Sequence, residues 1–150
     1  KKDGANAADG SSYLEIVSFL RANGANPKQD ILELWRRIVF SMAVSNTDDH
    51  LRNHGFILGE NGWKLSPLYD VNPDIYGEYL SLNVDSDNSS IDFDLAVDVS
   101  EYYGIEKKQA TEEVDKIKCI VKNNWRLIAR KYGISRGEIE RMEPAFRECS

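Results

Sequence analysis

The sequence predicts a mainly α domain carrying one small β-hairpin. Two apolar stripes at helical spacing predict the helices, one formed by Ile31, Leu34, Trp35, Ile38, Val39 and Met42, the other by Ala110, Val114, Ile117, Val121, Trp125, Ile128 and Tyr132. Two short β-prone runs, Gly55–Leu58 and Trp63–Leu65, flank Gly59-Glu60-Asn61-Gly62 and predict the hairpin, with Asn61-Gly62 as a turn pair that tolerates positive φ. One hundred and fifty residues is the ordinary size of a single domain, and 41% hydrophobic with 29% charged residues reads as soluble and globular.

In chain order, residues 1–11 are small and polar and are expected to form a flexible arm. Ser12 and Glu15 have the spacing of a capping box for a first helix that stops at Asn23-Gly24. Asn26 and Pro27 suit the cap and first turn of the second helix, which carries the first apolar stripe and runs into the loop 46–54. The hairpin occupies 55–66. Beyond Pro73 the pattern weakens, with an extended stretch over 79–84 and a loop over 85–90. Asp92 is a cap for a helix from Phe93 to Tyr103, closed by Gly104. The second stripe follows, ended by Gly133. Ser135 and Glu138 then box a last helix that Pro144 kinks or terminates. Tyr13, Trp35, Trp63, Trp125 and Tyr132 are expected in the core.

Composition excludes several functions. A net charge of −6 argues against direct nucleic-acid binding, although Arg126, Arg130 and Lys131 make a local basic patch. The longest nearly apolar run, Ile38–Val44, is far shorter than the ~20 residues a membrane span needs. Lys1-Lys2 is followed by Asp3-Gly4 and not by an apolar block, so no leader and a cytoplasmic location are expected. Cys119 and Cys149 form no C-x-x-C pair and read as reduced thiols.

The chemistry concentrates in Asn46-Thr47-Asp48-Asp49-His50-Leu51-Arg52-Asn53-His54, followed after the hairpin by Leu68-Tyr69-Asp70-Val71. Asp and Asn taken singly are favoured in loops for their local hydrogen bonding. Their order is the informative part. Asp48 precedes Asn53 by the interval that separates the base from the metal-binding Asn in the kinase pattern H-R-D-x-x-x-x-N, and Asp70 arrives after a return strand, where kinases place the Asp of D-F-G. Phosphoryl transfer needs one carboxylate for the nucleophile's hydroxyl proton and hard oxygen ligands for Mg²⁺ on the phosphates. Asp48 suits the first role; Asn53 and Asp70 suit the second.

The blocks T-D-D-H-L-R-N-H-G-F and W-K-L-S-P-L-Y-D-V resemble the HipA-like kinases, bacterial serine/threonine kinases typified by the toxin of a toxin–antitoxin pair. The resemblance spans about residues 10–148 and is most specific over 46–73. It implies the helical C-terminal lobe of a protein-kinase-like fold over 12–148, with catalytic loop 46–54, hairpin 55–66 and metal-Asp segment 68–73. It further implies ATP and Mg²⁺ as cofactors, Asp48 as catalytic base, His50 as a brace for the loop, and Asn53 and Asp70 as nucleotide and metal ligands. A protein substrate and an antitoxin-like DNA-binding partner come with the family. Asp49 stands where relatives often carry Gly and receives no catalytic part. Tyr69-Asp70-Val71 replaces Asp-Phe-Gly, so flipping of that segment about a glycine is not expected. Upstream of Asp48 there is no G-x-G-x-x-G, no V-A-I-K-like strand and no P-loop. These residues are therefore expected to need an N-terminal kinase portion, and to be inactive alone.

Other readings are weaker. His50 and His54 have zinc-protease spacing, yet Leu51 stands where the general-base Glu belongs. Asp85–Ser90 imitates the start of an EF-hand without its Gly at the sixth position or Glu at the twelfth. A Mg²⁺-dependent phosphohydrolase has only Asp49 and Asp74 as further carboxylates. A non-catalytic module binding an antitoxin-like partner is the main alternative.

Overall fold

The computed structural model describes residues 5–150, so the first four residues of the expected arm lie outside the described residues. The molecule is mainly α with one two-stranded antiparallel sheet: α1 (Leu14–Asn23), α2 (Pro27–Ala43), β1 (Phe56–Gly59), β2 (Gly62–Leu65), α3 (Phe93–Asp98), α4 (Lys107–Lys131) and α5 (Arg136–Met142). Short 3₁₀ turns cover Ala7–Asp9, Leu51–Asn53, Ser100–Tyr103 and Glu143–Cys149.

Residues 6–11, expected within the flexible arm, are docked. Ala7 N donates to Ser81 O, and Asn83 N to Ser11 O. Ser12 then starts α1 much as its spacing predicts: its Oγ accepts from Leu14 N, and Glu15 Oε1 accepts from Ser12 N. Pro27 opens α2, but Asn26 does not cap it with its side chain; the amide donates to Gln29 instead.

Helix α2 is the centre of the core. Leu34, Trp35, Ile38, Val39 and Met42 have no exposed surface, and the Trp35 indole N–H is satisfied by Ala96 O at 3.1 Å. This helix packs on α1, α3 and α4. A smaller cluster joins its C-terminal end to Val121, Ala145, Phe146 and Cys149, where Trp125 stacks on Phe146 at 4.1 Å. The stretch 79–84, expected to be extended, bends at Ser81, Leu82 and Val84 and makes only the isolated bridges Ser12↔Asn83 and Tyr79↔Ser90; Leu80, Leu82, Asn83 and Val84 are buried.

The hairpin differs from expectation at its turn. Gly59 pairs with Gly62, so Glu60 and Asn61 are the central residues, and neither has positive φ; Gly62 does, at +128°. A Cβ at Gly62 would sit 2.7 Å from Asn23 O, because the turn presses on the α1–α2 connection. Ala25 N donates to Trp63 O and Leu65 N to Asp30 Oδ2, which fixes the hairpin to the helical layer. The helix expected over 93–103 breaks at Asp98 and continues as a 3₁₀ turn before Gly104 at φ +71°. The second stripe is buried only as far as Trp125. Ile128 and Tyr132 are exposed, so Tyr132 does not belong to the core. Among the described residues no helix is long and apolar enough to cross a membrane.

Candidate active site

At the end of α2 the chain reverses through Ser45 at φ +52°, and Asn46 ties the reversal down by donating from N to Ser41 O and from Nδ2 to Ser41 Oγ. The loop then places Asp48 and Asp49 on opposite sides. Asp49 is buried, accepting the Tyr13 hydroxyl at 2.7 Å. His54 Nε2 lies 3.0 Å from its other oxygen, within ion-pair distance but without hydrogen-bond alignment. Burial, and then the Asp49 charge, push the Tyr13 phenol well above its ordinary pKa, so it stays a neutral donor. Asp49 is thus a brace between loop and core.

The Asp48 carboxylate, by contrast, is 75% exposed. His50 Nε2 donates to Asp48 Oδ1 at 2.9 Å, and an Arg52 guanidinium nitrogen stands 4.0 Å from the same oxygen. A carboxylate only accepts, which sets the proton on Nε2 in this contact. The 3₁₀ turn Leu51–Asn53 then brings Asn53 back under His50, whose backbone N–H donates to Asn53 Oδ1 at 2.9 Å. The other end of the buried Asn53 amide, Nδ2, donates to Asp70 Oδ2 at 2.7 Å. Asn53 and Asp70 are therefore brought together, and Asp48 joins them through His50.

Asp70 sits at φ +55°, a left-handed conformation that Asp tolerates better than most side chains. Asn72 Nδ2 donates to its Oδ1 at 3.0 Å, so both carboxylate oxygens are oriented by amides. Cross-ties join the segment 69–74 to the loop: Tyr69 hydroxyl to Arg52 O, Asp70 to Asn53, Asn72 N to Asn46 Oδ1, and Thr47 hydroxyl to Asp74 Oδ2. Residues 72–77 also press against Thr47 at Gly77, where a Cβ would lie 2.0 Å from Thr47 Cγ2.

The donor set decides which cation the site suits. Among the described residues no group of three or more His, Cys, Asp or Glu converges, and His50 and His54 face different carboxylates, Asp48 and Asp49. Asp70 and the Asn53 carbonyl are hard oxygen donors, each accepting a single N–H per oxygen and keeping a free lone pair. A carboxylate oxygen and an amide oxygen are hard ligands of the kind that Mg²⁺ takes alongside phosphates and water; here Asn53 turns Nδ2, and not Oδ1, toward Asp70.

Sequence reasoning missed the bracing residues Asn46, Asn72, Thr47 and the Tyr13–Asp49 pair. The only signal was compositional, a density of Asn, Asp and Thr around 46–53 and 70–74. Asp74 has both oxygens engaged, by Thr47 Oγ1 and by Tyr76 N, and is no free water-positioning carboxylate.

Comparison with known proteins bears on this geometry. The model of the HipA-like C-terminal domain matches residues 2–125. A provisionally named kinase of Sinorhizobium fredii is 32% identical over 62 residues, 41% of this chain and 15% of that protein. Another, of Haemophilus influenzae, is 37% identical over 70 residues, 46% of this chain and 20% of that protein. The chain thus spans a fifth or less of these relatives' length. HipA of Shewanella oneidensis, solved with HipB and operator DNA, superposes with a TM-score of 0.74 at 18% identity, covering 94% of this chain and 35% of that one. The shared fold is the kinase-like fold of HipA.

Proposed function

The chain belongs to the HipA-like C-terminal domain family, and from that premise we propose that it is the helical catalytic lobe of a toxin-type kinase that transfers the ATP γ-phosphate to a Ser or Thr of a protein. The observation that carries this reading is the Asn53–Asp70 amide–carboxylate pair, held one short loop away from the exposed Asp48. In this reading Asp48 accepts the proton of the attacking hydroxyl as its oxygen bonds the γ-phosphorus and ADP leaves. His50 and Arg52 keep the Asp48 carboxylate in one orientation. Asn53 and Asp70 would hold Mg²⁺, which supplies charge neutralisation on the phosphates when bound. The antitoxin-like DNA-binding partner and the cytoplasmic setting belong to the same proposal, supported by the HipA–HipB–DNA assembly of the structural relative.

The phosphohydrolase reading loses its support, because Asp49 is buried against Tyr13 and Asp74 is engaged twice. The other reading is a non-catalytic module that binds an antitoxin-like partner. Titration with ATP and Mg²⁺ separates the two. Binding by the intact protein and not by this chain alone supports the kinase; binding by neither supports the module.

In the intact protein, Asp48→Asn should lower phosphate transfer by about 10²–10⁴-fold with nucleotide affinity unchanged. Asp70→Asn should instead abolish Mg²⁺-dependent nucleotide binding. Turnover near that of the unaltered protein in Asp48→Asn removes Asp48 from the role of base.

A further inference from the structure

The apolar stripe of α4 outlasts the core that covers it. Ile120, Leu127, Ile128 and Tyr132 are each more than half exposed, and Ile134 is exposed beyond the helix end. Of these, Ile120, Ile128 and Ile134, together with Phe40 at the end of α2, Pro73 and Ile139 of α5, line a groove of about 530 Å³ whose walls expose apolar atoms only. A second hollow between α2 and α4 continues it, sharing Phe40 and Ile120 and edged by Leu68. From Lys116 to Ala129 the trough runs about 20 Å along α4, the length of a helix of about 14 residues, and Arg130 and Lys131 follow at its end.

The charge around this trough is one-sided. From Lys116 to Gly137 every charged residue is Lys or Arg, in a chain whose net charge is −6. The acids beside it already have cations: Glu33 with Arg37, Glu113 with Arg36, Glu140 with Arg136, and Glu143 with Arg126. Arg130 and Lys131 have no ion-pair partner among the described residues. We propose that this trough docks an acidic amphipathic helix of a partner protein, its apolar face in the groove and its carboxylates on Lys116, Arg130 and Lys131.

The other occupants fit less well. Nucleic acid binds through polar and phosphate contacts, which an apolar wall does not offer. A second copy related by a two-fold axis would bring like-charged rims together. The helix-in-groove mode needs an apolar trough with charged edges, as here. The outer wall, from Arg126 onward, lies past the residues matched by the family model. Leu68 and Pro73 lie two and three residues from Asp70, so a docked helix would touch the segment that carries it. The proposal does not rest on the phosphoryl-transfer reading, because binding is measured without turnover.

The probe is a fluorescein-labelled peptide of about 14 residues, with leucines at i, i+3, i+4 and i+7 spacing and glutamates between, beside a twin with lysine for every glutamate. Fluorescence anisotropy with the intact protein should show the acidic peptide binding at least about 10-fold more tightly than its twin, with affinity falling as salt rises. Ile128→Asp, and independently Ile120→Asp, should weaken binding at least about 10-fold without moving the melting curve, since both side chains are more than half exposed. Lys131→Glu should weaken the acidic peptide and strengthen the lysine twin. Equal affinities, or no binding of either peptide, overturn the proposal. So does sedimentation showing a dimer that Ile128→Asp dissolves, or a DNA duplex that binds through Lys131 while the acidic peptide does not.

Discussion

Asp74 uses both carboxylate oxygens on its surroundings, Oδ2 on the Thr47 hydroxyl at 2.7 Å and Oδ1 on the Tyr76 N–H at 2.8 Å. The Tyr76 N–H first, and then the Thr47 hydroxyl, hold its carboxyl below the usual carboxylate range. A group whose folded pKa is depressed stabilises the fold above its unfolded pKa and loses that contribution as pH falls through the folded value. The tie between segment and loop is therefore complete at neutral pH and weakens below about pH 4. Hydrogen exchange at the Tyr76 amide, corrected for its intrinsic pH dependence, should accelerate in that range. In Asp74→Asn the amide should exchange faster already at neutral pH, with a flatter acid profile.

At the scale of elements, the loop 46–54 and the segment 69–77 form one unit, and the Gly77 backbone packs directly against the Thr47 side chain. Gly77→Ala would drive a methyl into Thr47 Cγ2 and should destabilise by about 1–3 kcal/mol, the usual cost of overpacking. Thr47→Ser removes that methyl and keeps the hydroxyl for Asp74, so the double variant should recover most of the loss; urea melts of the four proteins check this. Gly104→Ala is the contrast. Gly104 has φ +71° and nothing within 4 Å of a Cβ, so only backbone strain of about 1 kcal/mol is expected there.

For the whole molecule, α2 links the two hydrophobic clusters and ends at the reversal into the loop 46–54, so its packing sets where Asp48 stands. Trp35 is fully buried and its indole N–H is bonded to Ala96 O. Trp35→Ala should cost about 3–5 kcal/mol in denaturant unfolding. A loss below 1 kcal/mol would mean that α3 refills the space. The 150-residue chain by itself should transfer no phosphate from ATP to a protein substrate, because a phosphate-covering loop and its lysine are absent from these residues. Radiolabel transfer by the isolated chain would overturn that expectation.

The sequence by itself determined the helices that carry uniform apolar stripes, the hairpin, and the order Asp48, Asn53, Asp70, because periodicity and spacing are local properties of the chain. It misjudged Gly59–Gly62, where docking on the α1–α2 connection puts the positive φ at Gly62 and leaves Asn61 without one. It also read Tyr132 as core, since a stripe does not say where its covering layer ends. Only the tertiary structure decided that Asp49 turns inward to Tyr13 while Asp48 faces solvent, and that Asn46, Thr47 and Asn72 tie the loop to the Asp70 segment. The physical reason is that a carboxylate's role follows from its burial and its partners. The partners that cross between segments, Tyr13 on Asp49, Asn53 on Asp70, Asn46 on Asn72 and Thr47 on Asp74, lie 17 to 36 positions away in the chain, where no local pattern can announce them.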